Sequence, residues 1–417
     1  MLKSLFLDLN SYFASVEQEL RPELRCKPVG VVPVMANTTC CIAASYEAKA
    51  YGIKTGTLVA DARKLCPQIQ FIVARHEVYV YYHHKIVEAV ESCIPIAAVV
   101  SIDEMVCELT GSQHDVDNAV ALSKKIKETI RKKVGSTLRC SIGLAPNRFL
   151  AKVGSDMQKP DGLVIIKSTD LPHILYKLDV SDFPGIGRRM EVRLKKHGIQ
   201  TSEQLLNLTK SQMRTIWGGI VGERFWGLLR GDDLEDIETH RRSVGHSHVL
   251  QPELRTKEGA FSVAQKLVHK AAARLRRMNY WTRRFSVYVK FMNGPAWDSH
   301  IRLVECQDTL TLLEALQMLW KKIPSGKPLA VGVTLLDLIP DVFHNFSLFD
   351  ELKRSRLATA MDKLNMKYGM HTIHFGDLHS VKSAAPTRIA FTSIPDFQDL
   401  DLQYTLDDSQ GQENHQG

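Results

Sequence analysis

Hydrophobic positions near the start of the chain alternate between short continuous runs and helical spacings, a pattern that predicts strands and helices in turn. Residues 2–9 (LKSLFLDL) read as a buried strand interrupted by Asp8, and residues 11–20 as the helix that follows, with Asn10 or Ser11 as its N-cap. Strand-like runs at 28–33 and 40–44 precede helices at 60–66 and 78–92. An apolar strand at 97–102 ends in Asp103-Glu104, and a helix at 124–133 and a strand at 138–142 complete an α/β layer. From residue 167 short helices surround two glycine-rich turns, 183–187 and 217–222. From 241, β-type runs at 243–249, 284–291, 300–304 and 329–336 enclose helical runs at 261–278 and 310–321, the pattern of a four-strand, two-helix module. The expected class is α+β and multidomain.

Length supports that division, because 417 residues exceed what one hydrophobic core normally holds. The net charge of +8 is unevenly placed: six acids and no Lys or Arg lie from Asp396 onward, so the rest of the chain carries about +14. A body this basic favours a polyanionic partner. The acidic, Gln-rich end is expected to be disordered. Eight cysteines form no C-x-x-C pair, and no apolar run approaches a membrane span. Reduced thiols, no membrane and a cytoplasmic location, nucleoid-associated on DNA, are the expectations.

The acids Asp8, Asp103 and Glu104 stand at strand ends, and if those strands are neighbours the three carboxylates converge at one sheet edge. Converging carboxylates repel unless cations sit between them, and hard oxygen donors suit Mg²⁺. Two such ions can activate an attacking hydroxyl and stabilise a leaving oxygen. A single acid in such a place more often caps a helix or faces solvent, so the surrounding residues matter.

Those residues, Asp8-Leu-Asn-Ser-Tyr-Phe-Ala-Ser-Val-Glu17, Ser45-Tyr-Glu-Ala-Lys-Ala-Tyr-Gly52 and Ser101-Ile-Asp-Glu104, resemble the three signature blocks of Y-family DNA polymerases. The resemblance continues through Ser141-Ile-Gly-Leu-Ala145, Phe149-Leu-Ala-Lys152, Asp156-Met-Gln-Lys-Pro-Asp-Gly162 and Phe183-Pro-Gly-Ile-Gly187. It implies a right-hand polymerase: a palm from 1–10 and 78–166, fingers from 11–77, a helix-hairpin-helix thumb from 167–234, a little finger from 241–340 and a tail from 341–417. It also implies template-directed, low-fidelity translesion synthesis in DNA damage tolerance, with dNTPs joined to a primer 3′-hydroxyl. Asp8, Asp103, Glu104 and the Leu9 carbonyl would hold two Mg²⁺ ions, with Mn²⁺ as a substitute. Phe13 is similar to the family's steric gate against a 2′-hydroxyl, and Tyr12, Tyr46, Lys49 and Lys159 to its nucleotide contacts.

Asn10, Ser11, Ala43 and Lys49 depart from the commonest pattern, and Asn10 is familiar in the UmuC branch, to which the overall pattern is most similar. Gly185, Gly187 and Arg188 read as a phosphate-gripping hairpin. Arg276, Arg277 and Arg283 belong to a module with sixteen Lys and Arg against seven acids and would track the duplex backbone. Asn345-Phe-Ser-Leu-Phe349 resembles the peptide by which bacterial polymerases dock on the β sliding clamp, through Phe346, Leu348 and Phe349. Primer-template DNA, dNTP, the clamp and SOS accessory proteins are the implied partners. The alternative, a catalytically silent DNA- and clamp-binding scaffold, is opposed by the intact acids.

Overall fold

A computed structural model describes residues 1–235, 241–344, 352–369, 372–376 and 394. The chain divides into two compact units, the first built mainly of residues 1–236 and the second mainly of 237–388.

The first unit is organised by a five-stranded sheet. Its strands are β1 (Ser4–Leu9), β5 (Ala98–Ser101), β6 (Glu104–Glu108), β7 (Cys140–Ala145) and β8 (Leu163–Ile165), in the order β5-β6-β1-β7-β8. Every residue of β1 is buried, as expected of a central strand covered on both faces. Alternation puts Leu5, Leu7 and Leu9 on one face, and Phe6 and Asp8 on the other. Phe6 packs in one cluster with Leu150 and Val153 of the Arg148–Met157 helix, so Asp8 shares the face that this helix covers. Gly143 in β7 makes that packing possible: a Cβ there would lie 1.9 Å from the Ala151 carbonyl oxygen. The helix therefore rests directly on the sheet.

Between β1 and the rest of the sheet, β2 (Val29–Val32), β3 (Ala43–Ala44) and β4 (Gln70–Val73) form a small sheet in the order β3-β2-β4. Its core is Val32, Cys41, Ala44, Ile53 and Val59. After β8, short helices including Arg188–Lys196, Lys210–Trp217 and Ile220–Leu228 close around Phe183, Leu194, Met213 and Phe225.

The second unit is an antiparallel sheet of β9 (Ser243–Val249), β10 (Tyr280–Phe291), β11 (Trp297–Cys306) and β12 (Pro328–Pro340), in the order β11-β10-β12-β9. The Lys257–Arg277 and Thr309–Trp320 helices pack on its inner face against Phe285, Val287, Val333 and Leu335. The Leu352–Tyr368 helix lies against both.

One expectation is corrected here. Asp103 and Glu104 do not together end a strand: Asp103 sits in the turn after β5, and Glu104 opens β6, a strand the pattern had not separated. The second strand went unread because a two-residue turn without glycine or proline carries no compositional break. Ser11 does stand at the N-cap of the Tyr12–Leu20 helix, but its side chain makes no capping bond.

Candidate active site

The β5-β6 hairpin brings the acids together. Asp8 lies directly opposite Glu104 in the β1-β6 ladder, and the Leu9 amide donates to the Asp103 carbonyl at 2.8 Å. His83 tethers the hairpin turn from the neighbouring helix, its Nδ1–H donating to the Ile102 carbonyl at 2.8 Å. Burial pushes this imidazole down to about 4, so it stays neutral and keeps that proton. Asp103 accepts from Ser101 Oγ at 2.5 Å, while burial, with Asp8 and Glu104 nearby, raises its carboxyl above the usual range.

Two ammonium groups answer this negative charge. Lys152 Nζ stands 2.5 Å from Asp8, 2.7 Å from Glu104 and 3.1 Å from Asp156. Lys159 Nζ lies 2.8 Å from both Asp8 and Asp156. Burial opposes their charge, but Asp8 and Asp156 outweigh it and raise both lysines. Among the described residues no three His, Cys, Asp or Glu side chains form a metal cage, and Lys152 stands between Asp8 and Glu104. Sequence reading assigned no role to Lys152 or Asp156. Their four-residue spacing on one helix, with Lys159 three beyond, was the available signal.

Tyr46 and Lys49 occupy a short helix whose N-cap is Ser45, with Lys49 Nζ 4.3 Å from the Tyr46 ring centre. Burial, then Lys159, lowers the Lys49 ammonium, and burial raises the Tyr46 hydroxyl while Lys159 opposes it. These two side chains thus share the electrostatic environment of Asp8 and Lys159. Phe13 is half-buried and stacks on Tyr79, with ring centres 4.4 Å apart and an interplanar angle of 14°. Tyr12 is different. It is buried, and its hydroxyl proton is committed to the Tyr79 carbonyl at 2.6 Å. Asn10 is also structural: its Oδ1 accepts the Asp161 amide at 2.7 Å and its Nδ2 donates to Ser141 Oγ at 3.1 Å.

Gly185 takes a left-handed φ of 89° and Gly187 precedes the Arg188–Lys196 helix, whose first amides lack intrahelical acceptors. Space above both glycines is open, and Arg188 is exposed.

In the second unit the expected arginines differ in their surroundings. Arg276 is half-buried, forks onto Asp362 at 2.6 and 2.9 Å and donates to the Gln307 carbonyl at 2.7 Å. It ties the C-terminal helix to the module. Arg277 closes the same helix, and Arg283, at an irregularity in β10, is engaged by Glu305. A run of charge on a helix end does not reveal which members find intramolecular acids. The outer face of the sheet presents Ser286, Tyr288 and Lys290 of β10 beside His300 and Arg302 of β11, with Arg284 in the same row paired to Asp337 at 2.9 Å. Period-two alternation from Arg284 to Lys290 was its signal. The 345–349 peptide lies outside the described residues. Among those described, no helix is long and apolar enough to cross a membrane.

Three family models match: the impB/mucB/samB family over residues 7–156, its C-terminal domain over 241–348, and the DNA polymerase-iota thumb domain over 181–233. A DNA polymerase IV of Moorella thermoacetica is 34% identical over 380 residues, covering 89% of this chain and 94% of that protein. A DNA polymerase IV 1 of Bacillus subtilis is 28% identical, covering 89% and 91%. Among solved structures, a Y-family polymerase chimera of Dbh and Dpo4 matches with a TM-score of 0.68 at 24% identity, covering 82% of this chain and all of that one. These names leave the expected closeness to UmuC without support.

Proposed function

The chain belongs to the Y family of DNA polymerases, and from that premise we propose that Asp8, Asp103 and Glu104 are the acids at which it joins a dNTP to a primer. It is a DNA-directed DNA polymerase of the translesion class. What carries the assignment of the acids is the ladder register: Asp8 faces Glu104 across one strand pair, with Asp103 in the adjoining turn.

The donor set fits hard divalent cations, here two Mg²⁺ ions with Mn²⁺ as a substitute, because carboxylates already close on a cationic atom, the Lys152 ammonium. Bound ions of this kind lower the pKa of the primer 3′-hydroxyl and stabilise the departing pyrophosphate. Lys152 holds the same carboxylates in place, and with ions bound it would keep Asp156 as its partner. Lys159, Lys49 and Tyr46 orient the triphosphate and offset its charge. The Leu9 carbonyl completes the donors, and Phe13 excludes a 2′-hydroxyl from the sugar site. In this reading the palm spans 1–10 and 78–166, the fingers 11–77, the thumb 167–234 and the little finger 241–340. Extension of a labelled primer by one templated dNTP, supported by Mg²⁺ and stopped by a chelator, tests it. A chain that binds the primer-template but never extends it would be the silent scaffold.

DNA is gripped without regard to sequence. The Gly185–Gly187 turn with Arg188 meets one phosphate run, and the outer sheet face around Arg284, Lys290 and Arg302 meets another. Charge reversal at Lys290 and Arg302 is expected to weaken binding for all sequences alike and reduce the slope of log K against log salt by about 2. Arg276→Ala should lower the melting temperature and leave that slope intact. An anisotropy titration at several salt concentrations separates the two, and an unchanged slope for the sheet variant removes this face from the interface.

Phe346, Leu348 and Phe349 serve as a β-clamp anchor, by analogy with short peptides that bury a few apolar side chains in a pocket. Their combined replacement by Ala should leave distributive synthesis intact and abolish stimulation by a loaded clamp. Equal stimulation of both proteins in a clamp titration would rule the anchor out. A role beside SOS accessory proteins, in the cytoplasm and on the nucleoid, accords with this activity.

A further inference from the structure

Behind Phe13 runs a chain of polar contacts that the proposed chemistry does not use. Glu17 lies one helical turn beyond Phe13 on the Tyr12–Leu20 helix, and its side chain has no exposed surface. Arg75 forks onto this carboxylate through Nε at 3.1 Å and Nη2 at 2.5 Å. Tyr79 donates its hydroxyl to the same group at 2.8 Å. The Tyr79 ring, held at that end by Glu17, lies flat against Phe13, while its backbone carbonyl takes the Tyr12 hydroxyl at 2.6 Å. His76 meets the Phe13 ring edge-on, with ring centres 6.3 Å apart.

A buried carboxylate is a costly way to fasten one helix to another, since apolar side chains of similar volume do so at least as well. What charge and direction supply is aim. Each link has a defined geometry: a bidentate fork, a phenol bond and a near-parallel stack. Together they determine how far the Phe13 ring projects from its helix, because a ring backed by a fixed plane cannot retreat. Exclusion of a hydroxyl by a clash turns on how closely the ring approaches the sugar, so the depth of the stop matters as much as its presence.

We infer that Glu17, Arg75 and Tyr79 are positioning residues for sugar discrimination, fixing the ring behind Phe13 and through it the selectivity for deoxynucleotides. This rests on the reading of Phe13 as the gate. None of the three needs to touch the nucleotide. Loss of the Tyr79 hydroxyl, or of the Glu17 charge that anchors it, lets the backing ring slide and Phe13 follow.

The test measures single-nucleotide kinetics opposite template guanine with dCTP and CTP, alongside melting curves, for Glu17→Gln, Tyr79→Phe and Phe13→Ala. Both network variants should raise the ratio of kcat/KM for CTP over dCTP by roughly tenfold or more. The gain should come mainly through the ribonucleotide, with a smaller change for dCTP. Tyr79→Phe keeps the ring and its packing, so it reports even where Glu17→Gln folds poorly. A tie that is only structural would lower the melting temperature and depress both substrates together without moving the ratio. If Phe13→Ala raises the ratio and both network variants leave it at the parent value, the inference is overturned and the gate stands. If Phe13→Ala also leaves it unchanged, gate and network fall together.

Discussion

Asp8→Ala is expected to lower single-turnover primer extension by at least about 10³-fold, the scale of several kcal/mol that charge stabilisation at a metal site supplies. Asp8 is the most connected acid of the site: it faces Glu104 across the ladder and contacts both Lys152 and Lys159. Its removal takes away an oxygen donor and leaves the two ammonium groups dominating a site that must accept further cations. The remaining Glu104 and Asp156 still pair with Lys152, which keeps the local fold intact. Primer-template affinity should therefore change little, since the proposed grip lies in the thumb turn and the outer sheet face. Quench-flow extension and fluorescence anisotropy on the same preparation make the comparison. Extension by Asp8→Ala at a rate near the parent's would place the catalytic centre elsewhere, and a parallel loss of DNA binding would indicate misfolding.

The second large effect is one of selectivity. Phe13→Ala replaces a half-buried ring by a methyl group and opens the space into which a 2′-hydroxyl would project, so ribonucleotides should enter far more readily while deoxynucleotides lose much less. Shape-based exclusion is read in the ratio of kcat/KM values, and a single bulky group supplies about 10- to 200-fold on a methylene scale. Were Phe13 an ordinary core residue, truncation would cost about 3 to 5 kcal/mol of stability and depress both nucleotides together. Its ring is only half-buried and packs on Tyr79 along one face, which favours the first outcome. An unaltered CTP to dCTP ratio with a lowered melting temperature sinks the gate.

How much of this could be read beforehand follows from the range of each interaction. Asp8 was legible because the blocks around it and around Asp103-Glu104 narrowed the several explanations that a lone strand-end acid leaves open. The four-strand, two-helix module was legible for a similar reason: period-two runs such as Arg284 to Lys290 declare their buried face. Arg276 was not, since its charge is the same whether it meets a phosphate or, as here, Asp362 on a helix 86 residues away. Tyr12 likewise differs from Phe13 by one position, and only the direction of each side chain separates a core hydroxyl bonded to Tyr79 from a ring at the site.

By itself, then, the chain determined the strand carrying Asp8, the neighbouring helices, the basic character of the second unit and the chemistry of the acids, because propensity, periodicity and residue type act locally. Tertiary structure alone decided that Glu104 opens a separate strand facing Asp8, that Lys152 stands between them, and that Glu17 and Arg75 anchor the ring behind Phe13. Each of these pairs residues far apart in sequence, and which distant groups meet depends on strand register and on how closely backbones approach. Gly143 shows the second dependence: only the absence of a Cβ lets the Arg148–Met157 helix settle on the sheet and bring Lys152 to Asp8.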